Sequence, residues 1–241
     1  MKKIVIIPTY NEKENIGAII DAVIALQKNF HLLIIDDGSP DGTANLVKEK
    51  MQQYPDVLFL EERKGKLGLG TAYIHGFKWA LQRGYQYICE MDADFSHNPA
   101  DLERLVQACQ FQGADVAVGS RYIPGGRVKN WPQNRIFLSK GASLYTRLLL
   151  GMPVKDPTAG FVCYKAEVLQ KINLDAIRFV GYAFQIEMKY VAWKMSFSIQ
   201  EVPITFVDRK QGVSKMSSGI IEEGILGVIK LKFGKTSALS K

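Results

Sequence analysis

Short, largely apolar runs alternate with helix-like stretches along the first 120 residues, and this alternation limits the folds open to the chain. The runs cover residues 4–7, 32–35, 57–60, 87–91 and 115–119. Runs of this length and composition are typical of strands buried on both faces of a parallel sheet. Between them, apolar residues recur at helical spacing, as at Ile16, Ile19, Ile20 and Val23. The alternation predicts an α/β fold with a mostly parallel sheet flanked by helices.

The chain is long enough for one large domain, and nothing in it marks a boundary. Its 241 residues are 47% hydrophobic and 23% charged, without an internal repeat, a low-complexity tract or a linker. We therefore predict a single domain over residues 1–241, with a nucleotide-binding half (1–120), an acceptor half (121–210) and a basic C-terminal tail (211–241). Three widely separated cysteines predict a reducing cytoplasm. No apolar run approaches the roughly 20 residues that span a bilayer.

Polar side chains follow the predicted strands. In open parallel sheets, ligands bind beyond the carboxyl ends of the strands. In this chain, those ends carry Tyr10 and Glu12, Asp36 and Asp37, Asp92 and Asp94, and Arg121. Because the ends of parallel strands meet at one edge of a sheet, these residues predict a binding site along that edge.

Asp92 and Asp94 stand two positions apart in this series. In an extended backbone such residues point the same way, and two like charges held together are stabilised by a cation between them. Oxygen ligands of this kind suit Mg²⁺ or Mn²⁺, which also bridges to the phosphates of a substrate. The same residues also fit a polar loop in which Asp94 or Ser96 begins the helix predicted for residues 99–112.

The glycines of residues 65–70 match neither a dinucleotide-binding fingerprint nor a Walker-type phosphate loop. They also follow charged residues rather than the apolar end of a strand. This pattern disfavours a dehydrogenase or a P-loop ATPase. We interpret the glycines as residues that shape a flexible loop.

The net charge of +7 comes from one segment of the chain. Residues 116–155 contain seven basic residues and no acidic one, and the other 24 of the 31 basic residues balance the 24 acidic ones. Such a basic segment predicts an anionic partner, which is a substrate phosphate, a lipid surface or nucleic acid.

A helix is predicted over residues 135–150 of this basic segment. It places Arg135 and Ser139 one turn apart, where both can contact a single phosphate. The helix combines basic and apolar residues, a composition that suits a helix lying in a membrane interface. The alternative is an amphipathic helix that packs on the sheet and turns a charged face to solvent.

Eight motifs along the chain are specific enough together to indicate a family. The first four are residues 8–12 (PTYNE), 36–43 (DDGSPDGT), 67–73 (LGLGTAY) and 92–97 (DADFSH). The others are residues 119–122 (GSRY), 156–161 (DPTAGF), 202–209 (VPITFVDR) and 212–215 (GVSK). The ordered set resembles inverting glycosyltransferases of family 2, which have the GT-A (Rossmann-like) fold. Within that family it resembles the dolichol-phosphate (polyprenol-phosphate) mannose synthases, in a short form without transmembrane helices.

The resemblance implies an activity and its partners. The reaction would be an inverting, metal-dependent transfer of mannose from GDP-mannose to a polyprenyl or dolichyl phosphate, with Mg²⁺ or Mn²⁺. The protein would make peripheral contact with the cytoplasmic face of a membrane. A separate membrane-anchoring subunit is a possible partner, and nucleic acid is not expected to be one. The alternatives are the same transfer with glucose or another sugar from a UDP donor, and a nucleotide-sugar-binding protein without activity.

The resemblance also assigns roles to individual residues. The metal ligands would be Asp94 and Ser96, where Ser96 matches a position that is glutamine in some relatives. The catalytic residues would be Asp94, Arg121, Arg135 and Ser139. The donor would be held by Pro8, Tyr10, Glu12, Ile35, Asp37, Asp92, Ala93, Asp94, Arg121, Arg209 and Lys215. For Arg121 the residues alone leave a second interpretation open, a structural ion pair.

A phosphate acceptor is consistent with the absence of an acidic pair at residues 185–187. Relatives that glycosylate a hydroxyl group need a base to remove its proton, whereas a phosphomonoester with a second pKa near 6 is already largely a dianion at neutral pH. Gln185, Ile186 and Glu187 stand where hydroxyl-using relatives have a pair of acidic residues. Glu187 is either a base or a residue that orders a neighbouring arginine, and we favour the second role.

Overall fold

The computed structural model describes residues 1–181, 183–208, 218–234 and 237–239. Its strands are β1 (Lys3–Thr9), β2 (Phe30–Asp36), β3 (Leu58–Glu62), β4 (Tyr87–Glu90), β5 (Val116–Ser120), β6 (Arg127–Lys129), β7 (Val162–Lys165), β8 (Ile199–Pro203) and β9 (Thr205–Val207). In this part of the chain, seven strands form one sheet in the order β3-β2-β1-β4-β7-β5-β8. The other two, β6 and β9, pair with each other as a short parallel ribbon.

The central sheet is parallel except at β7. Strand β1 pairs in parallel with β2 and β4, β2 with β3, and β5 with β8, which confirms the predicted mostly parallel sheet. Strand β7 runs antiparallel between β4 and β5, and the sequence patterns do not predict it. Its first residue, Val162, lies opposite Glu90 at the end of β4. The turn before β7 therefore lies at the same edge of the sheet as the polar strand ends.

Helices cover both faces of the sheet. They are α1 (Lys13–Ile24), α2 (Thr43–Gln53), α3 (Leu69–Gln82), α4 (Asp101–Phe111), α5 (Gln133–Leu150), α6 (Ala166–Lys171), α7 (Ala183–Lys194) and α8 (Ser218–Phe233). On one face, apolar residues of α1, α2 and α4 pack on alternate residues of the strands. On the other face, residues of α3, α6 and α7 do the same. The two apolar layers make one domain of the described chain, built as the alternation of strands and helices predicts.

The glycine-rich stretch before α3 serves close packing. A Cβ atom on Gly70 would lie 2.7 Å from the carbonyl oxygen of Phe179 and 2.8 Å from the ring of Phe184. Gly68 has a φ of +100°, a conformation that favours glycine. The Gly70 N–H also donates to the Val180 carbonyl at 2.8 Å. These glycines join the start of α3 to the segment before α7.

The last long helix packs beside α5 and α7. Val228 and Leu231 of α8 join a small apolar cluster with Leu150 at the end of α5 and with Ile186 and Tyr190 of α7. Among the described residues, no helix is both long enough and apolar enough to cross a bilayer.

Candidate active site

The loops after β1 and β2 are tied together by Asp36. Thr9 Oγ1 donates to Asp36 Oδ2 at 2.8 Å, and Ser39 donates its N–H and its hydroxyl at 2.9 and 2.6 Å. The Ser39 Oγ accepts the Asn11 N–H at 2.9 Å. Asp36 is buried, and its contacts show that it fixes the shape of both loops.

Asp37 orders the next loop along the edge. Arg63 Nε donates to Asp37 Oδ1 at 2.7 Å, and the Leu67 N–H donates to Asp37 Oδ2 at 3.1 Å. Arg63 Nη1 also donates to Thr71 Oγ1 at 2.9 Å. Both charged side chains are almost fully buried. Asp37 therefore holds residues 63–67 beside the strand ends, and its contact with a donor stays a prediction.

Tyr10 and Glu12 lie near the mouth of the same edge. The Lys66 ammonium lies 5.1 Å from the centre of the Tyr10 ring. The Glu12 N–H donates to Thr43 Oγ1 at 3.0 Å, and its carboxylate accepts the Asn15 side-chain amide at 3.2 Å. Tyr10 thus offers an aromatic surface next to a cation, while Glu12 joins the starts of α1 and α2.

Three predicted donor contacts fall on residues with little exposed side chain or none. Pro8 of β1 lies opposite Ile35 of β2 and is half-buried. Ile35 is 0% exposed and Ala93 4% exposed. A contact of Ile35 or Ala93 with a donor would therefore be made mainly through the backbone.

The loop after β4 brings Asp92, Asp94 and Ser96 to the centre of this edge. Asp94 is 8% exposed and its Oδ1 accepts the Ser96 N–H at 3.0 Å. The Asp92 side chain is more open, with 38% of its surface exposed. Phe95 between them has a φ of +58°, a left-handed conformation that is uncommon for a residue with a side chain. The loop is held in a tight turn, and a joint contact of the two carboxylates with a metal stays a prediction.

Asp94 and Ser96 both precede the first residue of the next helix by several positions. Helix α4 begins at Asp101, and the Asn98 side chain accepts the Ala100 N–H at 3.1 Å in the turn before it. The alternative in which Asp94 or Ser96 begins this helix is therefore wrong. Both residues belong to the loop at the strand end.

His97 forms the wall behind the carboxylates. Its ring stacks on Phe161 with centroids 4.8 Å apart and meets the Phe206 ring edge-on at 5.4 Å. The side chain is buried, and this burial lowers the pKa of His97 to about 4. His97 is therefore a neutral packing residue near neutral pH.

Arg121 is held by the turn before β7. Its Nε and Nη2 each donate to Asp156 at 2.7 Å, and Nη2 also reaches Thr158 Oγ1 at 2.8 Å. Burial alone would raise the pKa of Asp156, but the charge and hydrogen bonds of Arg121 outweigh it and leave that pKa below its usual value. The guanidinium carbon also lies 5.5 Å from the Phe206 ring centre. The ion-pair interpretation of Arg121 is thus correct, and the pair sits at the predicted site.

Arg135 and Ser139 lie together at the start of α5. The Arg135 guanidinium carbon lies 3.9 Å from the ring centre of Trp131, and its Nη1 donates to Asp208 Oδ1 at 3.1 Å. The Trp131 indole N–H donates to the same oxygen at 3.2 Å. Ser139 Oγ accepts the Tyr122 hydroxyl at 2.6 Å. Asp208, which the sequence analysis does not single out, therefore orients both Trp131 and Arg135.

Glu187 does not face the carboxylates. Its Oε2 accepts the backbone N–H groups of Arg178 and Phe179 at 2.9 and 3.0 Å, and the Arg178 side chain lies 3.7 Å from Oε1. This contact agrees with the role that we favour, in which Glu187 orders a neighbouring arginine. The predicted donor residues Arg209 and Lys215 lie outside the described residues, and their roles stay predictions.

Comparison with known proteins identifies the family. The sequence matches the family described as Glycosyl transferase family 2 over residues 4–173, which is most of the chain. The chain belongs to glycosyltransferase family 2. This membership confirms the predicted family, and with it an enzyme that transfers a sugar.

Several curated family 2 enzymes are close relatives. The chain is 50% identical to the polyprenol monophosphomannose synthase of Mycolicibacterium smegmatis, over 94% of this chain and 85% of that one. It is 44% identical to the undecaprenyl-phosphate mannosyltransferase of Micrococcus luteus, over 95% and 93%. The dolichol-phosphate mannosyltransferase of Pyrococcus furiosus is 38% identical, over 96% of this chain and 64% of the relative.

Solved structures of more distant proteins share the fold. The glucosyl-3-phosphoglycerate synthase of Mycobacterium tuberculosis, in complex with Mn²⁺, UDP and glucosyl-3-phosphoglycerate, superimposes with a TM-score of 0.72 at 16% identity, over 96% of this chain and 80% of that one. Its complex with phosphoglyceric acid gives a TM-score of 0.73 at the same identity and coverage. These likenesses confirm the GT-A fold.

Proposed function

We propose that this family 2 enzyme transfers mannose from GDP-mannose to a polyprenyl phosphate, with inversion, at the cytoplasmic face of a membrane. The observation that carries the proposal is that the paired aspartates and the arginines share one aromatic wall. His97, next to the aspartate loop, meets Phe206, and Phe206 meets Trp131 with centroids 5.2 Å apart. Arg121 and Arg135 lie against Phe206 and Trp131 respectively. The carboxylates and the cations that the two substrates would need are thus neighbours.

The donor half rests on Asp92, Asp94 and the loops that Asp36 and Asp37 fix. The relatives in the curated set are named for mannose transfer to polyprenyl, undecaprenyl or dolichyl phosphates, which favours mannose. Tyr10 at the mouth gives a nucleoside base an aromatic surface, and Lys66 beside it gives the donor a cation. GDP as the carrier is the finer part of the proposal.

A divalent metal fits the aspartate loop. Carboxylate and hydroxyl oxygens are the donors that Mg²⁺ and Mn²⁺ prefer, and Asp94 and Ser96 would hold the ion. The described residues contain no cluster of three acidic, histidine or cysteine side chains, so the diphosphate and water would supply the other ligands. Such an ion stabilises the charge of the departing diphosphate. The crystallised synthase from Mycobacterium tuberculosis was solved with Mn²⁺ and UDP.

The acceptor half is built for a phosphate that needs no base. Arg135 is held by Trp131 and Asp208, and Ser139 lies one turn further along α5. A planar guanidinium that is fixed in this way binds phosphate oxygens well. In the described structure, the Glu187 carboxylate accepts the backbone N–H groups of residues 178 and 179, so we do not assign it the role of a base. The lipid phosphate, already a dianion, would attack the anomeric carbon directly.

An exposed apolar face accompanies the basic segment, and we define it by six residues of two adjacent helices. On α5, Phe137 and Leu148 are 72% and 75% exposed, and on α8 Phe233 is 78% exposed. The other members are Leu144, Leu226 and Ile229. Large exposed apolar surfaces are uncommon on monomeric proteins and often mark a site of interaction. Because Lys140 and Arg147 belong to the same α5 helix, this face suits the interface of an anionic membrane.

The proposal is tested by sugar transfer to lipid. Purified protein is incubated with undecaprenyl phosphate and labelled GDP-mannose, GDP-glucose or UDP-glucose, with Mn²⁺ or with a chelator. We expect labelled lipid from GDP-mannose only, and only with the metal. The Asp94→Asn variant should lose at least about 99% of this turnover, since one ionised ligand is removed. Asp101→Asn, at the start of α4 where the carboxylate pairs with Arg104, should retain it. Transfer from UDP-glucose alone would identify the alternative donor, and transfer from none would refute the proposal.

A further inference from the structure

Helix α7 is buried along almost its whole length and yet carries a lysine in its middle. Residues 183–192 are all buried, and Lys189 is 0% exposed. Lysine is almost never fully buried unless it is paired, because removing its charge from water is costly. Its contacts therefore point to what this part of the molecule is built to hold.

Lys189 uses all of its hydrogen-bonding capacity. Its Nζ donates to the Ala159 carbonyl at 2.7 Å, to the Gln185 carbonyl at 3.0 Å and to Gln185 Oε1 at 3.1 Å. Because lysine can only donate, it fixes which end of the Gln185 amide is the oxygen. The other end, Nε2, then points to Glu90 Oε2 and donates to it at 2.9 Å.

Glu90 closes this chain of hydrogen bonds at the end of β4. It is 0% exposed, and within the described residues its second oxygen, Oε1, has no hydrogen-bond partner. An unpaired acceptor buried so deeply is rare in folded proteins. Asp92, the first of the two site carboxylates, follows two residues later in the chain. The network therefore ends directly behind the site.

The network holds the turn before β7 in place. The residue after Ala159 is Gly160, and a Cβ atom there would lie 3.8 Å from Gln185 Nε2 and 4.0 Å from Asp92 Oδ1. The other end of the turn is Asp156, which binds Arg121. The turn thus runs from the partner of Arg121 to the residue beside Asp92, and the transferred sugar would lie between these two predicted site residues.

Stability alone does not explain buried ionisable groups at this place. Replacing such groups with apolar residues of similar volume is often neutral or stabilising. Retaining a lysine, an amide and a carboxyl group in one chain of hydrogen bonds is instead a way to fix a unique geometry.

We propose that Lys189, Gln185 and Glu90 are positioning residues that hold Gly160 against Asp92 and so set the space for the hexose of the donor. This inference rests on the proposed function and deepens it. The three residues act through the turn of residues 156–160 and do not touch the reacting atoms. Replacing these three residues should weaken the binding of the sugar and leave the binding of the nucleotide unchanged.

The test compares the binding of GDP-mannose and of GDP, each with Mg²⁺, by isothermal titration calorimetry. The double variant Lys189→Met/Glu90→Gln removes both ionisable groups, keeps the side-chain lengths and leaves an amide oxygen for Gln185. We expect its affinity for GDP-mannose to fall about tenfold with its affinity for GDP unchanged. The control is Lys171→Met, an exposed lysine of α6, which should bind both ligands as the wild type does.

A second variant keeps the network and alters only the space. Gly160→Ala places a methyl group at ordinary contact distance from Gln185 and Asp92, so we expect the fold to accept it. This variant should also lower the affinity for GDP-mannose and not for GDP. The control is Gly17→Ala in α1, where the added Cβ atom would lie 3.5 Å from the Leu46 side chain, and it should change neither affinity. Unchanged GDP-mannose binding, or an equal loss for both ligands, would overturn the inference. Failure of the wild-type protein to bind GDP-mannose would overturn the proposed function itself.

Discussion

The side chain of Arg135 is oriented from two directions, and this orientation can be tested one residue at a time. Its guanidinium carbon lies 3.9 Å from the ring centre of Trp131, and its Nη1 donates to Asp208. A lysine at this position keeps the charge but loses the planar fork and the stacking. We expect Arg135→Lys to raise the KM for polyprenyl phosphate about tenfold, equivalent to about 1.4 kcal/mol, with the KM for GDP-mannose unchanged in steady-state transfer assays.

Asp208 supplies the internal check on this prediction. Asp208→Asn should raise the same KM, and in combination with Arg135→Lys the effects should be less than additive, because the two residues act through one contact. Arg104→Lys, at an exposed ion pair of α4, serves as the control and should leave both KM values unaltered. A rise in the KM for GDP-mannose in Arg135→Lys would place this arginine on the donor side instead.

Single residues differ in how far the sequence could predict them. Asp92 and Asp94 stand two positions apart and follow a strand. Their spacing alone also fits a polar loop, and it is their place among the other polar strand ends that indicates a shared site. The partners of Arg63 and Arg121 are harder to predict, because Asp37 and Asp156 are 26 and 35 positions away. Lys189 gives no signal at all, since a lysine in a helix is ordinarily exposed. Only the packing of α7 against the sheet shows that it is buried.

The exposed apolar face of α5 and α8 leads to a prediction at the level of elements. If it enters a membrane interface, polar substitutions on it should weaken binding to lipid without altering the site. We expect Phe137→Ser/Leu148→Ser to reduce binding to vesicles of phosphatidylcholine and phosphatidylglycerol about tenfold or more, since each side chain loses apolar burial. Co-sedimentation with the vesicles measures this binding.

The matched control is an exposed aromatic residue elsewhere on the molecule. Phe111 at the end of α4 is 78% exposed, and Phe111→Ser should bind vesicles as the wild type does. Mannose transfer to a short, water-soluble polyprenyl phosphate should be the same in all three proteins. Equal loss of vesicle binding in the Phe111 variant would mean that the contact is not specific to this face.

Elements with local signals were predictable, and those defined by distant pairing were not. The strands β1 to β5 are apolar runs next to amphipathic helices, and each lies where the pattern predicts. Strand β7 has four residues and pairs antiparallel with β4 and β5, so its role depends on tertiary contacts that periodicity does not carry. The ribbon of β6 and β9 joins segments almost 80 residues apart for the same reason. That ribbon brings Phe206 to the wall of the site.

The stability of the whole molecule should depend on pH through its buried pair, Glu90 and Lys189. Burial raises the pKa of Glu90 from 4.5 to about 8 and lowers the pKa of Lys189 from 10.5 to about 8. The groups that act on Glu90 are Lys189 and Gln185 of α7 and Asp92 of the loop that follows β4. Those that act on Lys189 are Glu90, Asp156, Arg121 and Glu201. Burial is the largest cause of both pKa shifts, and these neighbours, which surround the two groups only in the folded protein, modify it.

The signs of the two effects are opposite. Between pH 4.5 and 8, folded Glu90 holds its proton more tightly than the unfolded chain does, so stability falls as pH rises. Between pH 8 and 10.5, the unfolded chain holds the Lys189 proton more tightly, so stability rises again. His97, with a pKa lowered to about 4 from 6.5, acts only below pH 6.5. Burial raises the pKa of Cys163 above its ordinary value of 9.0, and those of Tyr73 and Tyr164 above 10.0, so these groups lower the stability only above about pH 9. The pair therefore dominates the window from pH 6.5 to 9.

We therefore expect the unfolding temperature to pass through a minimum near pH 8 in thermal scans between pH 6.5 and 9. At roughly 2–4 °C per kcal/mol for a chain of this size, the dip should amount to several degrees. In Lys189→Met/Glu90→Gln neither group titrates, so the minimum should vanish while it persists in the Lys171→Met control. A minimum of the same depth in the double variant would assign it to other groups. If the double variant loses the minimum and also binds GDP-mannose more weakly, one buried network governs both the pH dependence of stability and the binding of the sugar.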